Sequence, residues 1–234
     1  MNKARIYEEL IVAFATTALA TALALSLDAV TANRQLSLMA VVLVVAMMVC
    51  IYMYVFYGRE KDLLGIRRIF KTLDDAPKTL ELIENVKHSV DFLGISARTF
   101  FESEEVEESM KRRIKEGCVF RFLLLDPKAP YLEAKAKDEG DDPEAWRHDI
   151  EASILRLERV GKETDPSKVR IRLYNSLPIW RLLFADEELI QVTYYPHGHR
   201  GRHSPVFLLG GKKISLFDPF RSFFDYVWSV SNEP

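Results

Sequence analysis

Two long stretches without a charged side chain lie near the N-terminus, and they limit what this chain of 234 residues can fold into. Residues 10 to 27 and residues 38 to 57 contain no Asp, Glu, Lys or Arg. Because about 20 apolar residues cross the hydrocarbon core of a bilayer as a helix, we predict a transmembrane hairpin over residues 1 to 57. A cleaved signal peptide and a pair of buried helices are the alternatives, and Glu8 and Glu9 oppose the first of them.

Basic residues flank the two stretches unevenly. Lys3 and Arg5 precede the first stretch, and only Arg34 lies between the two. The second stretch is followed by a cluster of basic residues, namely Arg59, Lys61, Arg67, Arg68 and Lys71. Since Lys and Arg mark the cytoplasmic side of a membrane protein, we expect a multi-pass protein of the inner (cell) membrane. Both termini and the remaining domain should then lie in the cytoplasm.

Charge and cysteine content argue against two further classes of protein. The formal net charge is −2, and residues 1 to 57 carry three basic and three acidic side chains. The remainder is therefore mildly acidic, which argues against a general nucleic-acid-binding protein. The two cysteines, Cys50 and Cys118, suggest no disulfide framework.

Residues 58 to 76 connect the hairpin to the rest of the chain. The first part, residues 58 to 73, has an apolar stripe at helical spacing formed by Leu63, Leu64, Ile66, Ile69, Phe70 and Leu73. We predict a helical stalk here, and such a stripe usually pairs with another helix. The first apolar stretch is rich in Ala and Thr, which lets helices approach closely. Together these features predict a homo-oligomer.

Residues 77 to 234 alternate between helix-like and strand-like patterns and then give consecutive strands. Helices are predicted from residue 77, over 104 to 116, over 142 to 160 and over 218 to 230, with a polar loop before residue 142. The predicted strands read VDFLGIS, CVFRFLLLD, VRIRLYN, IWRLLFAD, LIQVTYY and PVFLLGG. This order is typical of an α/β sandwich with a mixed sheet.

The same order of elements, over residues 77 to 231, resembles one repeat of the phospholipase D superfamily. The markers are GISA at the end of a strand, KRRIKEGC before FRFLLLD, a later RLLFAD, and a closing FRSFFDYVWS. The resemblance implies a phospholipase D-like α/β sandwich over residues 77 to 234, built around a phosphate pocket.

That family's signature, His-x-Lys-x-x-x-x-Asp, is degenerate in this chain. Ile179 falls on the nucleophilic His, Arg181 on the phosphate-binding Lys, and Asp186 on the Asp. An isoleucine has no lone pair to attack phosphorus and no proton to give to a leaving group. No His in the chain is followed two residues later by Lys. We therefore predict a protein that is not an enzyme and has no catalytic residues.

A ligand site is predicted where the strands end, because ligands of open α/β sheets bind beyond the carboxyl ends of the strands. The loop over residues 194 to 205 is unusually rich in His, Arg and Gly. The predicted ligand-binding residues are Arg98, Asn175, Arg181, His197, His199, Arg200, Arg202 and His203. Each group also has an alternative interpretation. Asn175 would belong to a turn, and Arg181 would be buried in an ion pair with Asp186 or Asp126. The loop would be a solvated connection or would bind zinc through its histidines. No cofactor or metal is predicted.

These features together predict a membrane-anchored sensor. The ligand would be a phosphorylated small molecule or an oligonucleotide, and its binding would control a channel-forming or membrane-disrupting hairpin. The plan is similar to that of bacterial antiphage membrane effectors, which is a likeness of architecture only. Two alternatives stay open: a membrane-bound phosphodiesterase or lipid hydrolase that uses a non-standard His, and a scaffold that docks a partner protein.

Overall fold

The computed structural model describes residues 45–51, 65–210 and 216–234. The chain divides into two compact units, Met1–Glu60 and Lys61–Pro234. Residues 45–51 of the first unit are helical. The predicted span over 10 to 27, and the rest of the span over 38 to 57, lie outside the described residues. Within those residues, no helix has the length and apolar character needed to cross a bilayer.

In the second unit, seven strands form one mixed sheet. The strands are β1 (Ile66–Phe70), β2 (Ser89–Gly94), β3 (Val119–Leu125), β4 (Val169–Tyr174), β5 (Trp180–Ala185), β6 (Leu189–Tyr194) and β7 (Val206–Gly210). Their order across the sheet is β1-β7-β6-β5-β2-β3-β4. Strands β2, β3 and β4 run parallel, and all other neighbours are antiparallel. The predicted mixed α/β architecture is confirmed.

Helices cover both faces of the sheet. They are α1 (Thr79–Ile83), α2 (Glu104–Lys115), α3 (Pro130–Asp138), α4 (Pro143–Glu163) and α5 (Phe217–Val230). The first core packs α1, α2 and the end of α4 around Phe92, Phe100 and Phe122, whose rings meet at centroid distances of 4.9–5.9 Å. The second core packs α3, α5 and the start of α4 around Phe184 and Phe224. Burial on both faces explains the nearly continuous apolar run of β3.

Two predicted elements differ from the structure. Helix α3 lies where a polar loop was predicted. The prediction failed because most residues of this helix are charged or exposed, and only three positions are buried: Leu132, Lys135 and Ala136. The predicted helical stalk is wrong over residues 66 to 70, which form β1. There the apolar spacing fits either structure, and pairing with β7 along one edge decides in favour of a strand. The sheet therefore begins before residue 77, while residues 58 to 64 lie outside the described part.

Candidate functional site

A cavity of about 450 Å³ opens at one end of the sheet. Its wall contains Ser96 and Thr99, which follow β2, Arg181 at the start of β5, and Tyr195 directly after β6. Strands β2 and β5 are antiparallel neighbours, so the carboxyl end of one meets the amino end of the other at this point. The cavity thus lies at the strand ends where the sequence predicted a ligand site.

Arg181 is a buried cation that faces this cavity. The residue is 3% exposed, its Nε donates to Thr99 Oγ1 at 3.2 Å and its Nη1 donates to Gln191 Oε1 at 2.7 Å. Within the described residues no carboxylate forms an ion pair with it, so the predicted pairing with Asp186 or Asp126 is wrong. Burial lowers the pKa of this guanidinium, and electrostatic interactions with Tyr195 and Glu102 oppose that shift. Buried charges usually require an ionic partner, which makes Arg181 unusual.

The three other predicted arginines lie at the rim, where each is paired with an acid that also lines the cavity. Arg98 Nη1 lies 3.1 Å from Asp149, and Arg200 Nη2 lies 2.5 Å from Asp141. Arg202 Nη2 contacts both carboxylate oxygens of Asp74, at 2.9 and 3.1 Å. Acids and bases are therefore mixed around the mouth, and Arg181 alone among these four arginines faces the cavity without a carboxylate.

The other predicted ligand residues are not brought to the cavity. His197, His199 and His203 are exposed and outside its lining, and His197 Nδ1 lies 3.2 Å from Asp138. Asn175 follows β4, which is separated from β5 by β2 and β3. Strands lie about 4.8 Å apart, so Asn175 is roughly 14 Å away across the sheet. For the zinc alternative, the described part of the chain contains no group of three His, Cys, Asp or Glu side chains placed to hold a metal.

The two remaining motif positions do not line the cavity. Ile179 is 48% exposed and does not contribute to the lining. Asp186 lies at the far end of β5, about 16 Å from Arg181 along the strand, and adopts φ 54°. Its carboxylate accepts from the backbone N–H groups of Lys87, His88 and Ser89 at 2.8–2.9 Å. Asp186 therefore fixes the start of β2 and takes no part in the cavity.

Sequence reasoning missed two lining residues whose importance depends on tertiary contacts. Tyr195 accepts the backbone N–H of Ile95 at 3.2 Å, and burial raises its pKa to about 12. Glu139, directly after α3, has a side chain only 5% exposed. Burial raises the pKa of this carboxyl, although the charge and hydrogen bond of Lys135 oppose the shift. The sequence showed no signal for Glu139, because α3 itself was not predicted.

Fold and site together define a mixed α/β domain with a ligand-sized cavity, which is the class of site expected for small molecules. Residues 78–233 match the family described as a domain of unknown function, DUF5919. The chain belongs to this family. No curated protein sequence matches it.

Several solved structures are similar to this chain. Nuc from Salmonella typhimurium, a phospholipase D family member, is 12% identical with a TM-score of 0.42 over 67% of this chain and 88% of its own. TrmBL2, an archaeal chromatin protein, is 14% identical with a TM-score of 0.45, over 86% of this chain and 72% of its own. NucT from Helicobacter pylori is 10% identical with a TM-score of 0.42, over 67% and 88%. Similarities of this size assign neither a fold family nor an activity, so the phospholipase D-like assignment stays a prediction of the sequence.

Proposed function

We propose that the domain of residues 77 to 234 binds a phosphorylated ligand, a nucleotide or an oligonucleotide, in the cavity at the strand ends. The observation that carries this proposal is Arg181, a buried guanidinium that faces a cavity and has no carboxylate partner among the described residues. Its hydrogen bonds to Thr99 and Gln191 leave the positive charge without an anionic partner in the described residues, which is unfavourable in a protein interior, and an anionic ligand would supply that partner. A guanidinium suits phosphate because it donates two parallel hydrogen bonds to two oxygens.

Neighbouring groups support a phosphate rather than a halide or a carboxylate alone. The hydroxyls of Ser96, Thr99 and Tyr195 also line the cavity and can donate to further phosphate oxygens. The cavity volume of about 450 Å³ falls within the range of small-molecule sites. Trp146 also lines the cavity, and aromatic side chains are the groups on which nucleotide bases stack.

The proposed activity is binding without catalysis. Ile179 replaces the nucleophile of the resembled family, and no His or Cys lines the cavity in the described part of the chain. The alternative, a phosphodiesterase with a non-standard His, would rely on His203, whose own side chain is exposed and does not line the cavity. The lining therefore supports binding over catalysis by a histidine or a cysteine.

Replacing Arg181 tests the proposal. Arg181→Met removes the charge and its hydrogen bonds and keeps the unbranched apolar stem, and we expect binding to weaken by about ten- to a hundredfold, because charge-assisted hydrogen bonds contribute about 1.5–3 kcal/mol. The measurement is isothermal titration of the full-length protein in detergent, with inorganic phosphate and adenosine monophosphate as probes. Arg98→Met, at the exposed rim, is the matched control and should change affinity less than about fivefold, since exposed pairs contribute about 0–1 kcal/mol.

Equal affinity of wild type and Arg181→Met would contradict the proposal and favour the protein-docking alternative. The same preparations should not hydrolyse bis(p-nitrophenyl) phosphate above background. Turnover that disappears in His203→Ala would instead establish the catalytic alternative.

We further propose that ligand binding controls the predicted hairpin, and the contacts of residues 71 to 78 support this part. Leu73, Asp74 and Lys78 line the cavity and follow β1, the first described strand after the hairpin in sequence. The Leu73 N–H donates to the carbonyl of Arg202 at 3.0 Å. Gln191, the partner of Arg181, donates to the carbonyl of Pro77 at 3.0 Å. A ligand that displaces these contacts would favour one position of the segment over another, as control requires.

Membrane potential in cells expressing the protein tests this control. Candidate nucleotide signals should depolarise cells that express wild type, and Arg181→Ala should abolish the response, because a ligand that no longer binds shifts no equilibrium. Arg98→Ala serves as the control and should respond like wild type. A response that persists in Arg181→Ala would show that the membrane response does not depend on binding in the cavity.

A further inference from the structure

Helix α5 carries more apolar surface than the domain covers. Its buried residues, Phe217, Phe224 and Val227, belong to the second core, yet a further set of apolar side chains is exposed. This set, the α5 stripe, consists of Leu216, directly before the helix, and of Pro219, Phe223, Tyr226 and Val230 within it. Tyr226 is 66% exposed and Val230 is 61% exposed. The outward side of a surface helix is normally polar, so the α5 stripe needs a partner.

The spacing of the α5 stripe indicates that this partner is a helix. Its members recur at intervals of three, four, three and four residues, which is the pattern of the a and d positions of a coiled-coil seam. On an α-helix this pattern places the side chains in one narrow row. A row of this kind packs against the corresponding row of another helix.

The apolar surface extends from the α5 stripe onto the sheet. Phe220, three residues before Phe223, has its ring centroid 5.2 Å from that of Trp180 at the start of β5. Trp180 pairs with Tyr194 of β6, so both side chains lie on the same face of the sheet, and Tyr194 is 37% exposed. The stripe therefore continues through Phe220 and Trp180 to Tyr194, and we call this whole surface the α5 patch.

The size of the α5 patch matches one side of a dimer interface. An aromatic side chain buries about 150–250 Å² when fully covered, so the exposed parts of Phe223, Tyr226 and Tyr194 amount to roughly 200–350 Å². The aliphatic members of the stripe bring the apolar total to the order of 400 Å². A standard interface covers about 800 Å² on each partner, of which about 57–65% is apolar. The α5 patch therefore supplies most of the apolar area that such an interface needs.

Charge favours a protein over a lipid surface as the partner. Helix α5 has two exposed acids, Asp218 and Asp225, and its one basic residue, Arg221, contacts Asp91. A helix that lies on a membrane carries Lys and Arg on its polar face, and anionic lipids repel acids. The centres of protein interfaces, in contrast, are poor in charge and rich in Tyr, Trp and Phe. The α5 patch has this composition.

We propose that the α5 patch is the interface of a homodimer, in which α5 of one copy packs against α5 of a second copy across a two-fold axis. A two-fold interface brings the same surface of both copies together, and an apolar row without a charged member is complementary to itself. No residue of the α5 patch lines the cavity. The inference therefore stands whether or not the proposed function holds.

Site-specific crosslinking of the full-length protein in detergent tests this interface. Phe223 and Tyr226 lie in the middle of the stripe, so cysteines at these positions should approach their copies across a two-fold axis. In a Cys50→Ser background, we expect a short bismaleimide to join two chains of Phe223→Cys or of Tyr226→Cys. Leu155→Cys is the matched control, because Leu155 is also 66% exposed but belongs to α4. It should give only background crosslinking.

A charge within the stripe should break the homodimer. Val230→Asp, added to the Tyr226→Cys protein, would bury an unpaired carboxylate in the interface, and we expect the crosslinked fraction to fall about tenfold or more. Because Val230 is 61% exposed, the circular dichroism spectrum should stay unchanged. Leu155→Asp, added to the same protein, should leave the crosslinked fraction as it is.

Three results would overturn the inference: no crosslink at either cysteine, equal crosslinking of Leu155→Cys, or a crosslink that survives Val230→Asp. Crosslinking in whole cells that joins Tyr226→Cys to a different protein, in place of a second copy, would assign the α5 patch to another partner and overturn it as well.

Discussion

Replacing Asp91 with alanine is expected to lower the free energy of unfolding by about 3–5 kcal/mol, the usual effect of removing one partner from a buried ion pair. Asp91 lies in β2 and is 1% exposed. Its two carboxylate oxygens accept from Arg121 Nε and Nη2 at 2.6 and 2.7 Å, and Arg221 of α5 also donates to it. Without Asp91, both guanidinium groups keep their charge beside an apolar core and lose their common partner.

Urea denaturation followed by circular dichroism measures this loss. Asp225→Asn is the matched control, because Asp225 contacts the same Arg121 at 3.4 Å but its side chain is 50% exposed. We expect the control to change the free energy of unfolding by about 0–1 kcal/mol. A loss below about 1 kcal/mol in Asp91→Ala would mean that water reaches both arginines and that the cluster does not fix α5 to the sheet.

Replacing Asp186 with alanine is expected to lower the free energy of unfolding by about 2–3 kcal/mol while ligand affinity stays unchanged. Asp186 binds three backbone N–H groups. Because Asp186 is partly exposed, these three hydrogen bonds contribute less to stability than the sum of three buried charge-assisted bonds. Alanine also adopts the φ of 54° at this position poorly. An aspartate that acted in the cavity would show the opposite result, with affinity lost and stability kept.

The stability contributed by Asp186 should depend on pH. Burial alone would raise the pKa of this carboxyl, but the N–H groups of Lys87, Ser89 and His88 outweigh burial and hold it below its ordinary value of 3.8. Stability from this group is therefore fully present above pH 3.8 and is lost as the pH falls through the lower, folded-state pKa. The denaturation midpoints of wild type and Asp186→Asn should differ at pH 7 and lie closer together at pH 3. Parallel midpoints would contradict this assignment.

Much of the fold could be predicted from the sequence, because the strands at the sheet centre carry local patterns. The apolar run before Asp126 predicted β3, and the Asp142-Pro143 pair predicted the start of α4, where Asp142 accepts the N–H of Glu144 at 3.1 Å. Strand β1 could not be predicted, because only pairing with β7 decides between helix and strand for its apolar spacing.

The site was predictable only in part. The motif alignment located Arg181, and composition located the arginines of the loop over 194 to 205. The pairing of those arginines with Asp141 and Asp74 depends on chain segments 59 and 128 residues away, which no local pattern encodes. Glu139 and Tyr195 matter because of burial, and burial is a property of the assembled fold.

Both outer strands of the sheet are protected against joining another sheet. Strand β1 carries two exposed arginines, Arg67 and Arg68, and an irregular register with β7. At the opposite side, Leu173 of β4 exchanges backbone hydrogen bonds of 2.7 and 3.2 Å with Asn232. Charges, bulges and covering segments on edge strands prevent sheets from joining edge to edge. Neighbouring copies of this chain would therefore remain separate sheets, and contacts between them would form through other surfaces without growing into a fibre.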